Sequence, residues 1–179
     1  IVALIPADRV AEAFRAPLET ALDDHLLMPG LVNTHGHAAM TLLRGLADDH
    51  TLMDWLQDHI WPAEARWVGE DFVRTGTRLA MAEMLASGTT CASDMYFFPD
   101  VAAETVVEAG FRAQIAFPIF EHPSAWGANA DEYLAKGLQV RDDYRSCPRL
   151  SFAFGPHAPY TTSDQTLARV ATLAAELDS

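Results

Sequence analysis

Pro29-Gly30-Leu31-Val32-Asn33-Thr34-His35-Gly36-His37 carries a short apolar run straight into two histidines spaced i, i+2. A β-strand alternates its side chains with period 2, so His35 and His37 project from one face, about 6.6 Å apart along the strand. Two imidazoles at that separation can converge on one metal ion, each at roughly 2.0–2.1 Å. Histidines at a strand end can also simply satisfy hydrogen bonds, but the pairing after an apolar strand favours a metal. Neutral imidazole suits zinc, iron or nickel. Zinc is the expected ion for hydrolysis, because it lowers the pKa of bound water without redox chemistry. Two histidines do not complete a catalytic zinc site, which takes three or more protein ligands.

Outward from this stretch the chain alternates strand and helix. Leu31–His35 reads as the first strand and Asp71–Ser87 as a helix, with Phe72, Gly76, Leu79, Ala80, Met84 and Leu85 recurring every three or four residues. Gly88 stands where a C-terminal cap belongs. Residues 89–93 form a second strand, Val101–Ala109 a helix closed by Gly110, and Arg112–Phe117 a third strand stopped by Pro118. Ala130–Tyr144 is helical, Leu150–Phe154 is a fourth strand, and a last helix opens at the N-cap Ser163. Before residue 29 only two short extended candidates stand out, Ile1–Ile5 and His25–Met28. Alternating strands and helices imply a parallel α/β sheet. Four βα units make half of a (β/α)8 barrel, which typically needs ~250 residues; the alternative is an open, doubly wound sheet.

The bulk composition narrows the function. The 179 residues carry 12 basic against 25 acidic side chains, a net charge of −13. That balance argues against nucleic acid, whose phosphates demand a basic face, and against an anionic membrane surface. No apolar run reaches the ~20 residues of a membrane span, and residues 1–28 show no basic-then-apolar signal pattern, so no targeting segment is expected among them. Cys91 and Cys147, the only cysteines, make neither a disulfide framework nor a thiolate zinc site, so a reducing cytoplasm is expected. Cys91 is expected in the core.

Three further segments carry chemistry. His157, in Gly155-Pro156-His157-Ala158-Pro159-Tyr160, follows the fourth strand in a loop stiffened by two prolines, where side chains face the ligand crevice. The segment from Trp55 to Glu64 is a long, aromatic-rich connection after the first strand, suited to a substrate wall; Glu64 has the chemistry to hold a diol. Asp94, at the end of the second strand, either buttresses a ligand histidine or caps the following turn. His25, His50, His59 and His122 receive no role.

Together with Met40-Thr41-Leu42-Leu43-Arg44-Gly45 and Ser93-Asp94-Met95-Tyr96, these motifs resemble the amidohydrolase superfamily, and within it the 5-methylthioadenosine/S-adenosylhomocysteine deaminases. The resemblance runs from residue 25 onward. It implies an α/β (β/α)8 TIM barrel with a small β-sandwich, and one zinc per site. It implies hydrolytic removal of the 6-amino group from a purine nucleoside. Residues 1–28 would be a remnant of the sandwich, and 29–179 the N-terminal half of the barrel. Carried over by motif, His35 and His37 would ligate zinc, Glu64 would bind the ribose hydroxyls with Trp55 nearby, and His157 would contact the nucleoside. The remaining ligands and the proton-shuttling Glu of the family would lie beyond Ser179. The 179 residues alone are therefore expected neither to turn over substrate nor to hold zinc tightly. The edges of a half barrel need cover from the missing half or from a second copy. From Ala113 to Ala135 there is no Lys or Arg. Some relatives place arginines there for the homocysteine carboxylate, so methylthioadenosine or adenosine is the expected substrate. The runners-up are deamination of another heterocycle, guanine- or triazine-type, on the same fold, and a non-catalytic module with a vestigial His pair.

Overall fold

The structure, a computed structural model, describes residues 2–179. Its centre is one parallel sheet of β1 (Leu31–Gly36), β2 (Thr89–Met95), β3 (Arg112–Ile119) and β4 (Leu150–Pro156), in the order β1-β2-β3-β4. Helices α1 (Glu70–Ala86), α2 (Pro99–Ala109) and α3 (Ala130–Tyr144) connect successive strands, and α4 (Asp164–Leu177) follows the last. A doubly wound sheet would reverse its strand order at a switch point. Here the order runs monotonically with the chain, as in a barrel.

Local chemistry explains where these elements stop. Gly88 and Gly110 take positive φ, +85° and +67°, and turn the chain out of α1 and α2 at little steric cost. At the start of α3, the Asn129 side chain accepts the Glu132 N–H at 3.0 Å while Glu132 Oε2 accepts the Ala128 N–H at 2.9 Å. This is a capping box displaced by one residue, since Glu132 takes the N–H of the residue before the N-cap rather than that of Asn129 itself. Ser163 caps α4 as expected, accepting the Thr166 N–H at 3.2 Å.

The core lies between sheet and helices in two adjoining clusters. Val73, Met81, Ala92, Val106, Phe111 and Ile115 join β2 and β3 to α1 and α2, and Phe117, Ile119, Tyr133, Leu134 and Val170 join β3 to α3 and α4. Ion pairs Arg74–Glu104 and Arg78–Glu108, each at 2.6 Å, tie α1 to α2 across their partly exposed faces. On edge strand β1, Leu31 and Val32 remain 51% and 61% exposed, because no strand lies beyond them among the described residues.

Two expectations are corrected, and the long connection after β1 takes a definite form. The connection after β1 is helical: a 3-10 turn at Ala38–Leu43 leads to a contiguous rod of Leu52–Asp54, a π-helical Trp55–Ile60 and Trp61–Trp67. Thr51 caps it, its hydroxyl accepting the Asp54 N–H, and Pro62 sits in the first turn of the last piece, where its missing N–H costs nothing. The extended candidates at 1–5 and 25–28 form no strands among the described residues (Ile1 lies outside them); a strand needs a ladder partner, and none is within reach. Cys91 is half-buried rather than in the core.

Candidate active site

The carboxyl ends of the four strands open onto a cavity of about 1110 Å³. His37, Trp55, Glu64, Tyr96, His122 and His157 are among its lining residues, and no Lys or Arg lines it. The lining is otherwise largely apolar and aromatic, as small-molecule sites are. His35 stands beside His37 without lining the cavity, with ring centroids 5.1 Å apart and the planes at 82°.

The two rings meet although β1 is not regular at this point. Its pairing with β2 shifts register between Asn33 and Gly36, and Asn33 Oδ1 accepts the His35 N–H at 3.2 Å. His37 Nδ1 lies 2.6 Å from the Met95 carbonyl oxygen. A carbonyl can only accept, so Nδ1 carries the proton and Nε2 presents its lone pair. This is the second-contact pattern that fixes a metal-binding histidine. Asp94 does something different from orienting that ring. Its buried carboxylate accepts the Ala38 N–H at 2.6 Å and so pins the backbone immediately after His37. Burial pushes Asp94 up to about 6, against the opposing pull of the Ala38 and Met95 N–H groups and of His37.

Glu64 is half-buried on the Trp61–Trp67 helix and meets Tyr96 from the end of β2, whose hydroxyl donates to Oε1 at 2.7 Å. Burial raises the Glu64 carboxyl above its ordinary value, while the Tyr96 hydrogen bond and the nearby His37 act the other way. Burial first, then Glu64, pushes the Tyr96 phenol far up, so this hydroxyl remains a donor. At the opposite side, His157 Nδ1 is 3.0 Å from Thr161 Oγ1, and that hydroxyl donates to the Ala158 carbonyl at 3.1 Å. The threonine oxygen therefore receives the His157 proton, and His157 Nε2 is left as an acceptor. Burial, then His37 and His122, hold His157 below the usual imidazole value. Phe120 packs between two imidazoles, 4.8 Å from His157 and 5.0 Å from His122.

Four of the five residues singled out from sequence, His37, Trp55, Glu64 and His157, thus border one cavity, with His35 adjoining. Tyr96 and His122 were missed. Both stand at or just past strand ends, β2 and β3, and that position was their one sequence signal. His50 and His59 stack at 4.3 Å away from the cavity. The two β1 imidazoles fit a metal as donors, but no group of three or more His, Cys, Asp or Glu side chains is placed to complete a site among the described residues.

The sequence profile of the amidohydrolase family matches residues 26–179. A 5-methylthioadenosine/S-adenosylhomocysteine deaminase of Saccharophagus degradans is 56% identical over 179 residues, which is all of this chain and 40% of that protein. The chain thus spans about two fifths of the length of such relatives. Among solved structures, an adenosine deaminase from Xanthomonas campestris with bound zinc superposes with a TM-score of 0.83 at 53% identity, over 84% of this chain and 34% of that one. Atrazine chlorohydrolase from Arthrobacter aurescens superposes at 0.75 with 21% identity, over 84% and 39% of the two chains, a likeness of fold alone. No helix among the described residues is long and apolar enough to cross a membrane.

Proposed function

The chain belongs to the amidohydrolase family, and from that premise we propose that its site serves the hydrolytic deamination of an adenosine-type nucleoside at a single zinc ion. The observation that carries the reading is the meeting, on one apolar cavity, of His37 with its Nε2 lone pair free and Glu64 with Oε2 uncommitted. His35 and His37 would hold the metal, with further ligands supplied from outside these residues. A zinc ion there supplies Lewis-acid activation of water, whose pKa it brings to about 7. Iron or nickel would suit the same two imidazoles, and the name of the zinc-bound relative favours zinc.

The chain's own groups bind and orient. Glu64 accepts hydrogen bonds from the ribose hydroxyls, charge-assisted and therefore in the stronger class. Trp55 forms part of the wall beside the sugar. His157, neutral and braced by Thr161, offers Nε2 as an acceptor to the bound nucleoside with little ordering cost. With no Lys or Arg in the lining, nothing here pairs a substrate carboxylate, and burying one unpaired is costly. A neutral 5′ substituent, as in methylthioadenosine or adenosine, fits this half of the site better than homocysteine.

Residues 1–28 are read as the start of a small β-sandwich and 29–179 as the N-terminal half of the barrel, its edges covered by further strands of the barrel. Free cysteines and acidic charge suit a cytoplasmic enzyme without nucleic-acid or membrane partners. The test is Glu64→Ala in the full-length, zinc-loaded protein. We expect KM for adenosine to rise at least tenfold and hydrolysis of a ribose-free heterocycle to stay unchanged. Unaltered KM and kcat for the nucleoside would refute the assignment.

A further inference from the structure

We propose that Tyr96 is a positioning residue for the nucleoside: its hydroxyl holds the Glu64 carboxylate in the orientation that receives the ribose diol. The inference rests on the nucleoside reading of the site.

The geometry singles Tyr96 out. Its side chain is only 7% exposed, yet its hydroxyl reaches across 32 residues of sequence to Glu64 Oε1 at 2.7 Å. Glu64 rides on a helix that packs most densely against its own preceding π turn rather than against the sheet. A glutamate on such a support has three side-chain torsions to freeze when a sugar arrives, an entropic cost that weakens binding. The phenol removes much of that freedom beforehand, because it is anchored at the end of a central strand. It engages Oε1 and leaves Oε2 without a hydrogen-bond partner on a residue that lines the cavity, and a carboxylate has enough lone pairs to accept from both tyrosine and sugar. The Tyr96 hydrogen bond also opposes the upward push that burial gives the Glu64 carboxyl.

The neighbouring residues show that this strand end organises the whole site. Asp94 holds the backbone after His37, the Met95 carbonyl holds the His37 ring, and Tyr96 holds Glu64. The last two residues of β2 and the one that follows them thus hold both His37 and Glu64.

The experiment uses Tyr96→Phe, Glu64→Ala and the double variant in the full-length, zinc-loaded protein, assayed with adenosine and 2′,3′-dideoxyadenosine. We expect Tyr96→Phe to raise KM for adenosine about tenfold, equivalent to about 1.4 kcal/mol, with kcat within about twofold. It should leave the dideoxynucleoside parameters unchanged and add nothing in the Glu64→Ala background, where the acceptor of its hydrogen bond is gone. Equal losses on both nucleosides, or a loss that persists beside Glu64→Ala, would show a merely structural tyrosine and overturn the proposal. If Glu64→Ala raises KM while Tyr96→Phe does not, the tyrosine proposal alone fails. If Glu64→Ala leaves adenosine binding intact, the ribose reading fails and takes this inference with it.

Discussion

Replacing Gly76 by Ala tests whether the metal-bearing strand is held in place from behind. Gly76 is buried in α1, and a Cβ built there would stand 2.4 Å from the Ala39 carbonyl oxygen, 2.8 Å from its Cα and 2.9 Å from its C. All three obstacles are backbone atoms of a fully buried residue, so no side chain can swing aside. Overpacking a tight interior costs typically 1–3 kcal/mol, and unyielding backbone places this case near the upper end. Alanine recovers about 1 kcal/mol of helix propensity over glycine. The net expectation is a loss of about 2 kcal/mol in urea unfolding of the metal-free, full-length protein. The displaced segment begins two residues after His37, in the 3-10 turn that His37 itself opens, so the ring must move with it. Shifting the groups that orient a metal ligand typically lowers affinity ten- to hundredfold, and we expect that range for zinc in a chelator-competition titration. A variant as stable as the parent, with unchanged zinc affinity, would refute the idea that α1 sets the position of His37.

Methylthioadenosine and adenosine should show higher kcat/KM than S-adenosylhomocysteine in the full-length protein, since the cavity lining carries no cation for the homocysteine carboxylate; a clear preference for the homocysteine conjugate would refute this. His157 should make folding pH-dependent. Because burial holds its pKa below the ordinary value, the unfolded chain binds a proton that the folded one refuses. Its contribution is therefore complete above the unfolded value of about 6.5 and declines as pH falls towards the folded value. Urea unfolding of parent and His157→Gln between neutral and mildly acidic pH measures it, and identical pH slopes would count against it.

Most of the sheet and the four long helices could be read from the sequence because their signals are local. Period-2 and period-3.6 patterns, Gly88 and Gly110 at helix ends and Ser163 at a helix start are each visible within a few residues. The rod from Leu52 to Trp67 was hidden because Trp55, Leu56, Ile60 and Trp61 turn towards a cavity rather than a packed core, and the π-helical stretch breaks the 3.6 period. The strand candidates before residue 29 failed for the opposite reason. Extended propensity is local, but a strand exists only with a partner, and pairing is a property of the whole fold.

The site divides along the same line. His35 and His37 were readable because two ligands fall within one period of one strand. The rule that revealed them applies equally to β2 and the residue just past it, where Ala92, Asp94 and Tyr96 are buried at alternating positions. Alternation tells which face a side chain takes, yet not what it meets there. Glu64 lies 32 residues upstream on a segment that the sequence shows only as a long connection, and only the return of the chain through α1 brings the two together. The Met95 contribution was less visible still, because it is made by a carbonyl oxygen that every residue possesses. Side-chain identity at position 95 therefore carries little of the role, whereas at 94 and 96 it carries nearly all. A strand end that works through two side chains and one backbone group explains why the sequence leaves Asp94 between buttress and turn cap and does not single out Tyr96, although His37 and Glu64 are both held from there.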